Sequence, residues 1–141
     1  MNTDAGEAAR AEPSRGGGGS DATFGVVIAD NDNNVRQALA DLIRDHPRLH
    51  LVGEATDGLE AAALCAQHVV HVALVDVRMP HGGADAVTAI KAANPHTIVA
   101  GYTTLTDRRT RERLLEAGAA AVFAKGGGLD IGDEIVHLAA T

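Results

Sequence analysis

From about residue 22 onward, the chain alternates short apolar segments with longer segments in which apolar residues recur at helical spacing. Short apolar runs bounded by turn residues are typical of strands covered on both faces, and recurrence every three or four residues predicts helices packed on one side. The predicted strands are Phe24 to Ala29, Leu49 to Val52, Val72 to Val75, Thr97 to Tyr102 and Ala121 to Ala124. A predicted helix follows each strand, so we expect a parallel sheet that carries helices on both faces.

Residues that cap or stop helices delimit the five predicted helices. Asp57 is placed to cap the second helix, and Gly118 is placed to end the fourth. The helices run from Val35 to just before Pro47, from Gly58 to about His68, from about Ala84 to Ala93, from a cap at Thr106 or Asp107 to Ala117, and from Ile131 to Ala139.

Residues 1–21 lack this periodicity and are rich in Gly, Ala, Ser and charged residues. Such a segment cannot bury enough apolar surface to offset the entropy lost on ordering. We therefore predict a disordered Gly-rich tail over residues 1–21 and a single folded domain over residues 22–141. With 45% hydrophobic but only 2% aromatic residues, the core must consist largely of Val, Ile, Leu and Ala.

Charge and apolar run lengths exclude several classes of function. The formal net charge of −7 disfavours direct binding to nucleic acid by this domain. The basic residues Arg108, Arg109, Arg111 and Arg113 alternate with acidic residues, which is typical of a solvated helix face. No apolar run reaches the ~20 residues that cross a bilayer, and no secretory signal begins the chain, so we expect no membrane contact and a cytoplasmic protein. The single cysteine, Cys65, is expected to be a small core residue.

Polar residues stand at the ends of four predicted strands. Asp30 follows the first strand and Asp76 the third, while Thr103 follows the fourth and Lys125 the fifth. Ligands of doubly wound parallel sheets bind beyond the carboxyl ends of the strands, so these four side chains should meet at one edge.

The chemistry of these four residue types suits phosphoryl transfer. A carboxylate can accept a phosphoryl group as an acyl phosphate, and Mg²⁺ and a lysine commonly offset the charge of the moving group. Asp30 and Asp76 offer oxygen ligands for Mg²⁺, Lys125 offers a positive charge, and the Thr103 hydroxyl can bond the attached group. Each residue alone also has a structural interpretation, for instance as a helix cap or turn former. None of the seven histidines has a second ligand at metal-binding spacing, so we interpret them as structural or solvated.

Longer motifs around these residues resemble the CheY-like receiver domains of bacterial response regulators. The matching segments, in order and spacing, are Val26 to Asp30, Gly53 to Ala61, Val75 to Pro80, Thr103, Glu116 to Ala119 and Lys125. The segments Val-Gly-Glu-Ala and Asp-Val-Arg-Met-Pro look most like the NarL/LuxR branch. The resemblance spans Thr23 to Ala140.

The resemblance implies a flavodoxin-like fold with strand order 2-1-3-4-5 and a signalling domain rather than a turnover enzyme. It implies that a sensor histidine kinase phosphorylates Asp76, that Thr103 is the switch hydroxyl and that Lys125 contacts the phosphoryl group. It further implies Mg²⁺ bound by Asp30, Asp76 and the backbone carbonyl of Arg78. A homodimer or partner contact would use the face formed by the fourth helix, fifth strand and fifth helix.

Three positions depart from the family pattern. Asn31 stands where a second acid usually follows the first, although its amide oxygen can still serve as a Mg²⁺ ligand. Ala84 replaces a glycine near the start of the third helix. Val122 replaces the aromatic residue that commonly reports switching, while Tyr102 and Phe123 occupy neighbouring positions.

Three other functions are possible for a chain with this pattern. Asn31 favours a receiver that has lost phosphorylation and serves as a protein-interaction or dimerisation module. An aspartate-nucleophile phosphatase similar to haloacid dehalogenases would need a second aspartate where Arg78 stands. A nucleotide-binding flavodoxin-like domain would need a Gly-rich loop after the first strand, and none is present.

Overall fold

The structure, a computed structural model, describes residues 22–104, 107–126 and 130–141. The predicted tail over residues 1–21 and the alternative helix cap at Thr106 lie outside these ranges. The elements are β1 (Phe24–Ala29), α1 (Asn33–Asp45), β2 (Leu49–Ala55), α2 (Gly58–Gln67), β3 (Val72–Asp76), α3 (Gly83–Ala93), β4 (Ile98–Thr103), α4 (Arg108–Ala117), β5 (Ala121–Ala124) and α5 (Ile131–Ala140).

The five strands form one parallel sheet with the order β2-β1-β3-β4-β5, as the sequence predicted. The central strand β3 pairs with β1 on one side and β4 on the other, and all five of its residues are buried. Because β1 and β3 are neighbours, their carboxyl ends bring Asp30 and Asp76 to the same point of the sheet edge.

Successive strand residues point to opposite faces, and each face has its own core. Val27 and Val75 belong to one core, which also contains Val87 of α3 and Leu114 of α4. Val26 and its neighbours along the sheet belong to the other core, which contains residues of α1 and α5. The sheet is therefore covered by α2, α3 and α4 on one face and by α1 and α5 on the other.

Four aspartates cap helices, which confirms the roles predicted for Asp57 and Asp107. Their side chains accept hydrogen bonds from backbone N–H groups in the first turn, which would otherwise lack a partner. The caps are Asp32 of α1, Asp57 of α2, Asp107 of α4 and Asp130 of α5. Gly118 ends α4 in the left-handed region at φ 118°, as predicted.

The predicted end of β2 was wrong, because the strand continues past Val52 to Ala55. Gly53 and Glu54 interrupt the apolar run, but Gly53 pairs with Val27 and Glu54 pairs with Ile28. The register shifts between Val26 and Val27, which leaves Val52 as an extra residue of the edge strand. Glu54 is tolerated in the strand because it forms an ion pair with Arg36 of α1 at 3.2 Å.

Helix α3 starts one residue earlier than predicted, at Gly83, the second of two consecutive glycines. Gly83 has φ +59°, which favours glycine. A Cβ on Gly82 would lie 2.7 Å from the Met79 carbonyl oxygen and 3.0 Å from that of Asp76. The close approach at Gly82 and the positive φ of Gly83 therefore shape the loop beside Asp76, whereas Ala84 already lies within the helix.

Two remaining observations concern Cys65 and the length of the helices. Cys65 is fully buried in the core, as predicted, and burial raises the pKa of its thiol to about 11. No helix within the described ranges is both long and apolar enough to cross a membrane.

Candidate functional site

Asp30 and Asp76 are buried acids at the carboxyl edge of the sheet. Asp30 follows β1 and is 1% exposed, and Asp76 ends β3 and is 4% exposed. Burying a carboxylate is costly unless a partner compensates its charge. The site must therefore contain a cation for these groups.

Lys125 supplies that cation from the residue that follows β5. Its Nζ lies 3.0 Å from Asp30 Oδ2 and 3.2 Å from Asp76 Oδ1, and its side chain is 18% exposed. The ammonium thus bridges both carboxylates, so one cationic group serves two acidic groups. Lys125 Nζ also lies 5.6 Å from the centre of the Tyr102 ring, within cation–π range.

The environment raises the pKa of Lys125. Burial acts to lower this pKa, but hydrogen bonds to Asp30 and Asp76 and the charges of both carboxylates outweigh that effect. The ammonium is therefore protonated at neutral pH and available to an anionic group at this edge.

Thr103 ends β4 and is fully buried. Its carbonyl accepts a hydrogen bond from the Lys125 backbone N–H at 2.9 Å, which fixes the two residues side by side. The sheet therefore brings the side chains of Asp30, Asp76 and Lys125 together, with Thr103 adjacent to Lys125.

The polar residues at and after the end of β1 have different partners and therefore different roles. Asp30 Oδ1 accepts the Asp32 backbone N–H at 2.9 Å, which leaves Oδ2 to Lys125. Asp32 Oδ1 in turn accepts from the N–H groups of Asn34 and Val35, so this carboxylate caps α1. Asn31, the residue that replaces the usual second acid, is solvent-exposed beside the site.

Arg78 lies in the loop after β3, two residues beyond Asp76, and is exposed. The loop is held by hydrogen bonds from Gly82 N–H to the Met79 carbonyl at 2.9 Å and from Gly58 N–H to the Pro80 carbonyl at 3.0 Å. Neither of these bonds uses the carbonyl of Arg78, which was the backbone oxygen predicted to bind the metal.

The donor set of the site fits a hard divalent cation. The described residues include no group of three or more His, Cys, Asp or Glu side chains that could hold a metal ion. Mg²⁺, however, typically takes one or two carboxylates and completes its shell with water and neutral oxygens. The carboxylates of Asp30 and Asp76 share the one ammonium of Lys125, so the site can accept a further positive charge. Asn31 and the Arg78 carbonyl offer neutral oxygens close to these aspartates in sequence. Asp30, Asp76, Asn31 and Arg78 are therefore the candidate Mg²⁺ ligands.

Sequence reasoning missed Arg36 of α1. Its guanidinium donates to the Asp30 carbonyl oxygen at 2.9 Å, to Asn33 Oδ1 at 2.7 Å and to Glu54 Oε1 at 3.2 Å. One signal in the sequence was a cation in the first turns of a helix, where the helix dipole disfavours positive charge.

The neighbouring α4 surface agrees with its predicted character. The four arginines of this helix are exposed, and Arg108 pairs with Glu112 at 3.1 Å. Arg111 also donates to the Val122 carbonyl oxygen at 3.2 Å, which ties α4 to β5. Val122 packs in the core on the α4 face, whereas Phe123 packs on the opposite face with Tyr102 against it. Among the residues that the structure describes, no aromatic side chain therefore takes the place of Val122 in the core on the α4 face.

Two of the histidines have structural partners. His71 Nδ1 accepts the Gly25 N–H at 2.9 Å, and burial lowers the pKa of His71. His46 Nε2 lies 2.8 Å from Asp133 Oδ1, which links α1 to α5.

The sequence matches the family model of the response regulator receiver domain over residues 26–134. The match covers more than half of the chain, and the chain therefore belongs to the receiver domains of response regulators, the signalling domains of two-component systems.

Response regulator GacA of Pseudomonas protegens is 32% identical over 106 residues, which is 74% of this chain and 50% of that protein. Transcriptional regulatory protein PdtaR of Mycobacterium tuberculosis is 36% identical over 101 residues, which is 71% of this chain and 48% of that protein. The chain thus spans about half the length of these curated relatives.

Solved structures agree with the fold. The signal receiver domain of NarL from Mycobacterium tuberculosis superposes with a TM-score of 0.80 at 26% identity, covering 84% of this chain and 98% of that one. The response regulator domain of CheB from Thermotoga maritima superposes with a TM-score of 0.69 at 27% identity, covering 84% of this chain and 89% of that one. These similarities agree with the expected CheY-like, flavodoxin-like fold.

Proposed function

We propose that this receiver accepts a phosphoryl group on Asp76 from a sensor histidine kinase and thereby switches a partner or output surface. The protein would work in the cytoplasm within the NarL/LuxR branch, which the similarity to NarL supports. The observation that carries the proposal is the contact of Lys125 Nζ with buried Asp30 at 3.0 Å and buried Asp76 at 3.2 Å.

Asp76 is the residue best suited to act as the nucleophile. It ends the central strand, and Asp30 Oδ1 is already engaged with the loop backbone. A carboxylate oxygen of Asp76 would attack phosphorus while the bond from phosphorus to the donor's imidazole nitrogen breaks and its electron pair remains on that nitrogen. The product is an acyl phosphate on Asp76 and a histidine that regains a proton from solvent.

The neighbouring residues would stabilise the transferred group. Lys125 would move its ammonium to a phosphoryl oxygen, and the Thr103 hydroxyl would donate a hydrogen bond to another. When bound by Asp30, Asp76, Asn31 and the Arg78 carbonyl, Mg²⁺ would neutralise negative charge on the phosphoryl oxygens.

The face formed by α4, β5 and α5 is the proposed output or homodimer surface. Lys125 directly follows β5, and Arg111 connects α4 to the Val122 carbonyl of that strand. A shift of Lys125 toward a phosphoryl group would therefore reach this face first.

Intact-mass spectrometry after incubation with acetyl phosphate and Mg²⁺ tests the proposal. We expect the mass to increase by one phosphoryl group, and we expect no increase for Asp76→Asn or when EDTA removes the metal. An unchanged wild-type mass, or an unchanged increase in the Asp76→Asn variant, would refute phosphorylation at Asp76.

The alternative is a phosphorylation-independent interaction or dimerisation module. The exposed Asn31 and the absence of an aromatic residue at Val122 favour it. This alternative predicts that acetyl phosphate leaves the mass unchanged and that Asp76→Asn leaves partner binding or dimerisation intact.

A further inference from the structure

Arg36 connects three segments around the candidate Mg²⁺ site. Its side chain is only 14% exposed, and its guanidinium bonds the Asp30 carbonyl after β1, Asn33 at the start of α1, and Glu54 of β2. A guanidinium carries five donors in a planar fork, so it can hold several acceptors in a fixed relative geometry.

The location of Arg36 is unfavourable unless these contacts compensate it. The residue lies near the N-terminus of α1, where the helix dipole opposes a positive charge, and the first turn of α1 contains no acidic residue. Glu54 provides the countercharge, and its side chain is 29% exposed. Pairing with Glu54 alone would not require the two additional bonds to neutral oxygens, those of the Asp30 carbonyl and the Asn33 side chain.

The bond to the Asp30 carbonyl completes the restraint of that residue. Asp30 N–H donates to the Ala55 carbonyl at 3.0 Å, its Oδ1 accepts from Asp32, and its Oδ2 contacts Lys125. With Arg36 on its carbonyl oxygen at 2.9 Å, every polar atom of Asp30 has a partner. The same bond fixes the orientation of the peptide plane between Asp30 and Asn31. It therefore also restrains the position of the Asn31 backbone next to the site.

We propose that Arg36, supported by Glu54, is a positioning residue that sets the geometry of Asp30 and Asn31 for Mg²⁺ binding. This inference rests on the proposed function, because it concerns the metal that would assist phosphorylation at Asp76. It extends that function to a residue that contacts neither the metal nor the phosphoryl group.

Arg36→Lys is the informative variant, since it keeps the positive charge but cannot span the three acceptors. We expect the Kd for Mg²⁺, measured by calorimetric titration, to rise about fivefold. The rate of phosphorylation by acetyl phosphate should fall at low Mg²⁺ and recover at saturating Mg²⁺, because the loss lies in metal binding. A merely structural role would lower stability without changing the Mg²⁺ concentration that gives half-maximal rate.

Arg44→Lys is the matched control. Arg44 also approaches Glu54, at 3.6 Å, but its side chain is 57% exposed and contacts no residue of the loop. We expect its Kd for Mg²⁺ to equal that of the wild type. If Arg36→Lys fails to fold by circular dichroism, Glu54→Gln replaces it, because this variant keeps Arg36 but weakens its anchor, and its Kd for Mg²⁺ should rise about twofold.

The outcomes separate the two proposals. A wild-type Kd for Mg²⁺ in the Arg36→Lys variant, or an equal rise in Arg44→Lys, would overturn the positioning role. A wild-type protein that gains no phosphoryl group at any Mg²⁺ concentration would instead overturn the proposed function.

Discussion

Replacing Lys125 with methionine should destabilise the metal-free domain and tighten its binding of Mg²⁺. The variant keeps a long apolar side chain but removes the only cation within 3.2 Å of Asp30 Oδ2 and Asp76 Oδ1 among the described residues. Two buried carboxylates would then face each other without a countercharge. The same ammonium competes with a metal for these oxygens, so its removal should favour Mg²⁺.

The magnitude follows from the distances. At 3.0 and 3.2 Å, each charge pair is worth about 5 kcal/mol at an effective dielectric constant of 20, before desolvation is subtracted. Removing one partner of a buried ion pair typically costs about 3–5 kcal/mol. We expect a loss of about 3 kcal/mol in the free energy of unfolding in EDTA, and a Kd for Mg²⁺ at least about tenfold lower, which corresponds to about 1.4 kcal/mol.

The assays are urea unfolding at pH 7 with and without Mg²⁺ and calorimetric titration of the metal. The raised pKa of Lys125 means that its stabilising contribution is fully present below its ordinary value of 10.5 and is lost only as the pH rises through the higher folded value. Neutral pH therefore measures the full effect, and saturating Mg²⁺ should reduce the stability difference from wild type.

Lys91→Met is the control for removing a lysine. Lys91 Nζ donates to the carbonyls of Pro95 and Thr97 at 2.8 and 2.9 Å and contacts no carboxylate of the site. This variant should bind Mg²⁺ as the wild type does. If Lys125→Met binds Mg²⁺ equally or more weakly than wild type, Lys125 does not compete with the metal and the reasoning fails.

Three further changes test other parts of the molecule. Asn31→Asp should tighten Mg²⁺ binding by up to about tenfold, the exposed position limiting the gain; equal titration curves would mean that residue 31 does not face the ion. His71 accepts the Gly25 N–H and has a lowered pKa, so its contribution to stability is fully present above pH 6.5 and is lost as the pH falls through the lower folded pKa. If the unfolding free energy of His71→Gln falls as steeply between pH 6.5 and 5 as that of the wild type, this assignment is wrong. Arg108→Glu with Arg113→Glu should abolish any phosphorylation-dependent dimer in sedimentation velocity, and an unaffected dimer would leave these arginines as solvated surface.

Much of the fold was predictable because local signals and tertiary packing agree. Short apolar runs became buried strands, and aspartates before the helices became caps. The largest departure was the end of β2, where Gly53 and Glu54 interrupt the apolar run. In the folded domain Leu64 packs closely on Gly53, at 3.1 Å from where a Cβ would lie, and Arg36 pairs with Glu54. Neither contact is visible in the local sequence.

The candidate site was predictable in position but not in detail. The rule that strands of a parallel sheet end at one edge predicted that Asp30, Asp76 and Lys125 lie close together. It could not predict that Lys125 bridges both acids or that the Asp32 carboxylate caps α1. Arg36 was missed because its acceptors come from three segments that only the folded sheet brings together.

Borohydride trapping followed by peptide mass spectrometry tests the central claim most directly. Borohydride reduces an acyl phosphate of aspartate to homoserine, which marks the phosphorylated position. After treatment with acetyl phosphate and Mg²⁺, we predict homoserine at position 76 and none at Asp30 or at the exposed cap Asp107. Homoserine at another aspartate, or no conversion in a wild-type protein that binds Mg²⁺, would contradict phosphorylation of Asp76.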